Sequence, residues 1–578
     1  MEPTERILKN LKEIYEKQIA EKTYHRILEK LDEFRKVETS SGRYVFSEKD
    51  IVLITYADQF QFEGKKTLKG LEWFANSYLS GIFNTIHSLP FFPYSSDDGF
   101  SVIDYYSVDH TFGDWSDIQA LSKQFRLMFD GVFNHISRKS QWFQSFLSND
   151  SKYSEYFISV NPQADLSAVM RPRTSALITR VQTEKGERYV WTTFSADQID
   201  LNFANAEVLL EIIDVLLFYV KQGAKIIRID AVPFLWKELG TNCINRPQTH
   251  AIIKVIRAVL DFAAAQVVLI TESNVPFIEN ISYLGNIDLK NGLSDEAQLI
   301  YQFSLAPLVL HALISGDSTK LTEWVSSLPS PHNYFNFIAS HDGIGLLPAK
   351  GILDDADIDM LIKRTQQHGG KLSYKTDTDG NQKVYELNIT LYDFLNHPQS
   401  PNEKLDTARY LTSQVIMLEL AGVPGVYVHS LFGSINCTRC IEQTKQPRTI
   451  NREKFIIDQL KRDLSRETRS RIILEKYLKL VSIRRDHSAF SPVASQRALR
   501  LDARVFSLLR KNAHTNESIL CIANMTPDAF SLEVDISELE LPKSRSSFKD
   551  LFSGMRYRVD GNSLTIDLYG YQSLWLLC

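Results

Sequence analysis

The chain has 578 residues, of which 44% are hydrophobic and 23% are charged, and its formal net charge at pH 7 is −5. This composition is typical of a globular protein long enough for one large domain with smaller additions. The negative balance argues against binding to nucleic acid or to an anionic membrane surface. Since neither a membrane span nor a signal peptide is recognisable, we expect a cytoplasmic protein, either a monomer or a homodimer.

The five cysteines are too few and too scattered to predict a disulfide framework. Cys437 and Cys440 form a lone CxxC motif, and no second pair lies near it in the sequence. Zinc sites of this kind usually need such a second pair. We therefore predict no metal site.

The first 48 residues are predicted to be helical. Apolar side chains recur there at helical spacing, as in Ile7, Leu11 and Ile14. We interpret residues 1–48 as an extension that packs on the main domain.

Eight short apolar segments then alternate with helical patterns, which predicts an α/β protein with a (β/α)8 barrel. Predicted helices include residues 67–80, 206–220, 248–264 and 406–420. The predicted strands are residues 51–57, 82–89, 126–135, 225–230, 267–272, 299–303, 334–342 and 422–428.

Two segments between strands are too long for ordinary connections. Residues 137–190, after the third strand, predict a small inserted domain, and the polar residues 345–404 predict a lid or substrate-binding loop. The barrel would then comprise residues 49–136 and 191–490. From 491 to 578, short alternating segments predict a C-terminal antiparallel β domain.

Carboxylates follow three of the predicted strands. KIIRID ends on Asp230, VVLITE on Glu272, and YFNFIASHD on His341 and Asp342. The carboxyl ends of the strands form the active-site face of a barrel of this kind. Asp230 alone could be a structural ion-pair partner of Arg228, but three such strand ends favour a catalytic site.

Two carboxylates with different roles are what retaining glycoside chemistry requires. Arg228, two residues away, should lower the pKa of Asp230 and keep it ionised as the nucleophile. Glu272 follows an apolar strand without an adjacent cation, so it is the better proton donor. Asp342 could then stabilise an oxocarbenium-like transition state. His135 and His341 could be buried core residues, but at strand ends we expect them to bind sugar hydroxyls.

Four segments resemble the motif regions of glycoside hydrolase family 13, the α-amylase family. They are FNH at 133–135, RIDAV at 228–232, TES at 271–273 and SHD at 340–342, and QIDLN at 198–202 resembles the motif that closes that family's inserted domain. The resemblance implies the same roles: Asp230 as nucleophile, Glu272 as acid/base and Asp342 as stabiliser.

Further segments, among them LITYADQF, DDGFSVIDY, RPR and SHDGIG, resemble the sucrose phosphorylase subfamily. This resemblance implies that Asp97 and Phe100 hold glucose and that Arg452 contacts glucose or phosphate. The implied reaction is phosphorolysis of an α-glucoside with retention, giving α-glucose 1-phosphate, with inorganic phosphate as co-substrate and no cofactor.

The acceptor is less well defined. Glu386, in YELN, and Asn274, shortly after Glu272, stand where the sucrose-specific members usually have Gln and His. These departures and the helical extension look more like glucosylglycerate phosphorylases. Glycerate is an anion, and Arg171 and Arg173 of RPR could bind its carboxylate, or could merely hold the inserted domain to the barrel.

Several other functions stay open on the sequence. The acceptor could be fructose or glycerol in place of glycerate, or the enzyme could be a hydrolase that uses water. An interaction protein built on the same barrel is a further alternative, although relatives of that kind typically lose a catalytic carboxylate and all three are present here.

Overall fold

The fold is described from a computed structural model in which residues 2–35, 42–288, 293–330, 334–376, 382–539 and 546–578 are defined. Its centre is a closed barrel of eight parallel strands, each paired with the next in the sequence and the last with the first. The strands are β1 (Val52–Thr55), β2 (Thr85–Ser88), β3 (Arg126–Gly131), β4 (Ala224–Ile229), β5 (Val268–Thr271), β6 (Leu299–Tyr301), β7 (Tyr334–Asn336) and β8 (Val423–Tyr427). The predicted (β/α)8 fold is confirmed.

The strands are apolar and buried on both faces, as a parallel barrel surrounded by helices requires. The surrounding helices bury apolar faces against them; Ala206–Lys221, for example, buries ten of its residues. The other helices around the barrel are Thr67–Phe74, Trp115–Ser122, Pro247–Ala263, Phe277–Ile281, Leu305–Ser315, Thr319–Ser327, Glu403–Glu419, Ile457–Leu464 and Arg469–Arg485.

Most predicted strands were longer than the observed ones, and at two of them the extra residues include candidate site residues. β3 ends at Gly131, and His135 begins a separate short strand, His135–Ser137, which pairs with Gln198–Asp200. β7 ends at Asn336, so His341 and Asp342 lie in the loop that follows it. In both places the apolar run continues beyond the ladder, and apolar residues alone do not mark where hydrogen bonding between strands stops.

The segment after β3 contains a helix, Gln141–Leu147, and a hairpin, Ile178–Thr183 with Gly186–Trp191. Part of it packs around its own small apolar cluster, which includes Val160, Leu177 and Trp191. We call residues 137–190 the inserted segment.

The described residues of 345–404 contain more secondary structure than the predicted loop. They form the helices Asp355–Gln367 and Leu391–Leu395 and a hairpin of Lys371–Thr376 with Gln382–Asn388, and Ile344–Gly345 pairs with the second strand of this hairpin. Leu387, Phe394 and Leu395 of this segment are buried in the main core. We call the paired strands Lys371–Thr376 and Gln382–Asn388 the acceptor hairpin because of their position described below.

The two ends of the chain pack on the barrel. Helices Pro3–Ile14 and Lys17–Arg35 contact the barrel helices Ala206–Lys221 and Pro247–Ala263. At the other end, eight strands form one antiparallel sheet; they are Ser495–Asp502, Val505–Asn512, Glu517–Asn524, Phe530–Asp535, Ser547–Asp550, Arg556–Asp560, Ser563–Leu568 and Ser573–Leu577. Among the helices of the described residues, none has the length and apolar character needed to cross a membrane.

Cys437 and Cys440 form a disulfide, which the sequence analysis did not predict. Cys437 directly precedes the helix Thr438–Thr444, so the next helical turn brings Cys440 back towards it. The loop that follows this helix carries two arginines of the candidate site, Arg448 and Arg452.

Candidate active site

The register of the barrel brings Asp230 and Glu272 side by side. Ile229 of β4 lies opposite Thr271 of β5, so the next residue of each strand emerges at the same level. The main-chain N–H of Ala231 donates to Glu272 Oε2 at 2.9 Å, and Ala231 has a left-handed φ of 49°. Such a conformation is uncommon outside glycine and concentrates at functional sites.

Arg228 lies behind Asp230 and is almost fully buried. Its Nη1 contacts Asp230 Oδ1 at 2.8 Å and Asp130 Oδ1 at 2.5 Å, and Asp130 also contacts His87. Arg228 is not among the residues that line the cavity described below. The sequence also made Arg228 a candidate substrate ligand, which stays a prediction; its contacts indicate that it holds Asp230 in place.

Burial raises the pKa values of both central carboxyls. The pKa of Asp230 is raised to about 6, because burial outweighs the opposing effect of Arg228. The pKa of Glu272 is raised to about 7, again chiefly by burial. The prediction that Arg228 would lower the pKa of Asp230 below its ordinary value was wrong, since it did not include the larger effect of burial. The pKa of Glu272 is nevertheless the higher of the two, so Glu272 is the group more readily protonated.

Asp342 is held by Arg448. Arg448 Nη1 contacts Asp342 Oδ1 at 2.5 Å, while its Nη2 and Nε contact the two oxygens of Glu386 at 2.9 and 3.1 Å. Burial would raise the pKa of Asp342, but Arg448, His341 and Arg452 together lower it. Glu386 also accepts a hydrogen bond from the N–H of Gly343 at 2.8 Å. Asp342 is thus kept ionised at the cavity wall.

Arg452 lies next to the cavity wall, with its Nη2 3.6 Å from Asp342 Oδ1. Its Nη1 contacts Asp98 Oδ2 at 2.5 Å, its Nε donates to the carbonyl oxygen of His341, and it is not among the cavity-lining residues. The expectation that Arg452 contacts glucose or phosphate stays a prediction. The sequence showed two arginines in the same loop, but it could not show which one faces the cavity.

The expected glucose ligands gather near the three carboxylates. His341 stacks on Phe100 with ring centroids 5.0 Å apart, and burial lowers the pKa of His341 to about 3. His135 Nε2 lies 2.8 Å from the carbonyl oxygen of Phe100. Asp97 has a left-handed φ of 53°, and Gln198 Nε2 lies 3.3 Å from its carboxylate. Enclosure would raise the pKa of Asp97, but the positive charges of Arg448, Arg173 and Arg452 lower it.

The inserted segment and the acceptor hairpin meet on the other side of the carboxylates. Arg173 donates to the hydroxyl of Tyr385, 212 positions away in the sequence. Arg171 instead donates to the carbonyl oxygens of Thr174 and Ser175, within its own turn. The side-chain oxygen of Asn274 is buried next to Gly345 and has no hydrogen-bond partner among the described residues. The structure therefore separates two arginines that the sequence treated alike.

One cavity of about 760 Å³ connects these groups. It is lined by the three carboxylates and by most of the predicted site residues, namely Asp97, Phe100, His135, Arg171, Arg173, Asn274, His341 and Glu386. The sequence analysis missed Arg448, Tyr385 and Gln198, which also line the cavity. It missed three lysines as well: Lys350, Lys375 and Lys383. These residues lie far apart in the sequence, so the sequence did not indicate that they line the same cavity.

Within the described part of the chain, no group of three or more His, Cys, Asp or Glu side chains could hold a metal ion. The buried carboxylate of Asp200, in the motif QIDLN, instead forms an ion pair with the ammonium of Lys237 at 2.6 Å. Lys237 Nζ also donates to Asn134 Oδ1 at 2.7 Å. Lys237 therefore connects Asn134, which lies just before the inserted segment, with the short strand Gln198–Asp200 that follows this segment.

Comparisons with known proteins show which family the chain resembles. Residues 76–343 match the family model described as alpha amylase, catalytic domain. The chain is 44% identical to a glucosylglycerate phosphorylase of Spirochaeta thermophila over 100% of this chain and 99% of that protein. It is 29% identical to a sucrose phosphorylase of Agrobacterium vitis, over 76% of this chain and 88% of that one. Among solved structures, sucrose 6F-phosphate phosphorylase from Thermoanaerobacter thermosaccharolyticum superposes with a TM-score of 0.72 at 24% identity, covering 90% of this chain and 98% of that chain.

Proposed function

Because this chain belongs to the α-amylase family and is a glycoside phosphorylase of the hexosyltransferase type, we propose that it converts 2-O-α-glucosylglycerate and inorganic phosphate into α-glucose 1-phosphate and glycerate. The observation that carries this proposal is the 44% identity, over the whole chain, to a relative named glucosylglycerate phosphorylase. The sucrose phosphorylase relative is much less similar and covers less of the chain.

The proposed mechanism is a double displacement. Asp230 attacks the anomeric carbon while Glu272 protonates the departing glycerate oxygen, and a β-glucosyl ester of Asp230 forms. A phosphate oxygen then attacks the same carbon, Glu272 takes up the proton, and the α configuration is restored. The higher pKa of Glu272, about 7 against about 6 for Asp230, supports this division of roles.

Asp342 is proposed to stabilise the positive charge that develops on the sugar ring in the transition state. Its ionised state is supported by the contact with Arg448, whose guanidinium lies 2.5 Å away. The glucose would lie between this carboxylate and the pair of Phe100 and His341, with Asp97 and His135 as partners for its hydroxyls. All of these groups line the cavity.

The anion is proposed to bind at Arg173 and Tyr385. Among the cavity-lining arginines, Arg448 already contacts two carboxylates and Arg171 donates to main-chain oxygens. Arg173 has no carboxylate within salt-bridge distance among the described residues, and its contact is the neutral Tyr385 hydroxyl. Its planar fork suits both a carboxylate and a phosphate. Glycerate and phosphate occupy this place in different half-reactions, so one cationic group can bind each in turn.

The test compares 2-O-α-glucosyl-D-glycerate, sucrose and 2-O-α-glucosylglycerol, each with and without phosphate. We expect phosphate-dependent release of α-glucose 1-phosphate from glucosylglycerate, with kcat/KM at least tenfold above that of the other two glucosides. If the enzyme preferred sucrose, its acceptor would be fructose and not glycerate. Equal glucose release with and without phosphate would make the enzyme a hydrolase and overturn the proposal.

A further inference from the structure

The loop after β2 contains an unusual turn that presents Asp97 to the cavity. Asp97, Asp98 and Gly99 have φ angles of 53°, 47° and 109°, so three consecutive residues lie in the left-handed region. Residues other than glycine occupy this region at an energetic cost. At Gly99, a Cβ atom would lie 2.6 Å from the carbonyl oxygen of Pro90, so no side chain fits there. We call Asp97–Gly99 the left-handed turn, and a turn of this kind persists only where its surroundings hold it.

One carboxylate outside the cavity lining holds the left-handed turn. Asp197 Oδ2 accepts three hydroxyl hydrogen bonds, at 2.5, 2.5 and 2.8 Å, from Ser95, Ser96 and Ser101. These serines flank the turn on both sides, and neither they nor Asp197 line the cavity. The main-chain N–H of Ser95 also donates to the carbonyl oxygen of Ser101 at 3.1 Å. The turn is therefore fixed through side chains as well as through the main chain.

The three hydroxyl contacts favour an ionised Asp197. Partial burial would raise the pKa of Asp197, but the serine hydroxyls and the positive charge of Lys139 lower it. An ionised carboxylate only accepts hydrogen bonds, so each serine must direct its proton towards Asp197. Hydrogen bonds to an ionised group are also stronger than neutral ones. One charged oxygen thus orients three side chains around the turn.

The chain around Asp197 is itself fixed. The main-chain carbonyl of Asp197 accepts from the N–H of Arg138 at 2.8 Å, at the start of the inserted segment. The next residue, Gln198, has its Nε2 3.1 Å from the carbonyl oxygen of Phe100 and 3.3 Å from the Asp97 carboxylate. Asp197 therefore holds the flanks of the left-handed turn, while Gln198 contacts the two proposed glucose ligands.

We propose that Asp197 is a positioning residue of the glucose site, which holds the left-handed turn so that Asp97 and Phe100 face the bound sugar. This inference rests on the proposed function, because it takes Asp97 and Phe100 as ligands of the glucosyl group. It adds a residue that contacts neither the sugar nor the acceptor. Because glycerate, fructose and glycerol would all receive the same glucosyl group, the inference does not depend on which of them is the acceptor.

The test measures glucosyl transfer from α-glucose 1-phosphate to D-glycerate in Asp197→Ala. We expect KM for α-glucose 1-phosphate to rise about tenfold or more while kcat falls about threefold or less, because contacts that only hold the sugar act equally in the ground state and the transition state. KM for D-glycerate should stay unchanged. Asp197→Asn keeps an oxygen that can accept from the serines, so it should restore most of the lost affinity for α-glucose 1-phosphate.

A double-variant cycle separates positioning from a general structural effect. If Asp197 acts through the left-handed turn, Asp97→Ala should raise KM for α-glucose 1-phosphate, and adding Asp197→Ala should then raise it little further. A combined factor equal to the product of the two single factors would overturn the inference. The matched control is Asp150→Ala, an exposed acid of the inserted segment whose carboxylate accepts from the N–H of Lys152 at 2.9 Å. This control should leave KM for α-glucose 1-phosphate unchanged.

Ser96→Ala tests the same contact if Asp197→Ala does not fold. It removes one of the three hydroxyls, next to Asp97, and should raise KM for α-glucose 1-phosphate about threefold, the effect of one hydrogen bond. An unchanged KM in these variants would overturn the inference and leave the proposed function intact. If the wild-type enzyme transfers no glucose from α-glucose 1-phosphate to any of the three acceptors, the proposed function fails. Calorimetric binding of D-glucose, which needs neither phosphate nor acceptor, then tests the inference by itself: equal affinity in wild type and Asp197→Ala would overturn it.

Discussion

The two ends of the cavity are built from different parts of the chain. The glucose end is formed by residues that directly follow barrel strands, such as Asp230 and Glu272, and the pairing of β4 with β5 fixes their relative positions. The acceptor end is formed where the inserted segment meets the acceptor hairpin, as in the contact of Arg173 with Tyr385. Under the proposed function, the barrel supplies the chemistry and two additions to it supply the choice of acceptor, so that the acceptor could change without disturbing the carboxylates.

The strongest test of the barrel end is Asp230→Asn. This change keeps the size of the side chain and one oxygen for the contact with Arg228, but it removes the nucleophile. We expect kcat for phosphorolysis to fall about 10⁴-fold or more, as for other enzymes that lose a nucleophile. Mass spectrometry of Glu272→Gln with α-glucosyl fluoride should detect a glucosyl group on Asp230. A β-configured product would contradict the double displacement.

Arg448→Gln tests the connection between the two ends, because Arg448 contacts both Asp342 and Glu386. Without it, the pKa of Asp342 should rise and the transition state should lose a fixed negative charge. We expect kcat/KM to fall about 10²-fold, a typical cost of losing one electrostatic contact to a transition state.

The matched control is Arg439→Gln. Arg439 belongs to the same part of the chain, but it is mostly exposed and pairs with Glu453 at the surface. Surface pairs of this kind contribute little to stability, so this variant should keep full activity. Thermal unfolding of both variants separates a catalytic loss from a folding defect. An active Arg448→Gln enzyme of normal stability would show that Asp342 does not depend on Arg448.

The pH profile should be narrow. Asp230 must be ionised to attack, so activity should fall as the pH drops below its pKa of about 6. Glu272 must be protonated to release the acceptor, so activity should fall as the pH rises above about 7. We expect a bell-shaped dependence of kcat/KM with its maximum between these values and a loss of about tenfold per pH unit on either side. With α-glucosyl fluoride, whose leaving group needs no proton, the alkaline decrease in the glucosylation rate should disappear. A flat profile from pH 5 to 9 would contradict the assignment.

The difference between the two ends also explains what the sequence could reveal. The barrel and its carboxylates could be predicted, because each carboxylate follows an apolar run that marks a strand, and parallel strands converge at one face. The orientation of Arg448 and Arg452 could not be predicted from the sequence. Both lie in the same loop, and only packing decides which of them lines the cavity. The pKa of Asp230 was misjudged for a related reason, because sequence spacing reveals a neighbouring cation but not the degree of burial.

The smallest effects are expected at the acceptor end, where Arg173→Ala removes a charged hydrogen-bond donor from a closed site. Such a loss costs about 1.5–3 kcal/mol, so kcat/KM for transfer to D-glycerate should fall at least tenfold. Transfer to glycerol, which has no carboxylate, should fall about threefold or less. Tyr385→Phe removes the hydroxyl that Arg173 contacts but keeps the charge of Arg173. It should therefore lower kcat/KM for transfer to D-glycerate by a smaller factor than Arg173→Ala does.

Arg171→Ala is the matched comparison for Arg173→Ala. The two residues flank the same proline, yet the Arg171 guanidinium donates to Thr174 and Ser175 within its own turn. Its removal should therefore lower transfer to both acceptors by a similar factor of about threefold or less, through a less well held loop. Selectivity is the ratio of the two efficiencies, which cancels a general defect in the inserted segment. If Arg171→Ala changed this ratio as strongly as Arg173→Ala, both arginines would bind the acid, and the separation of their roles would be wrong.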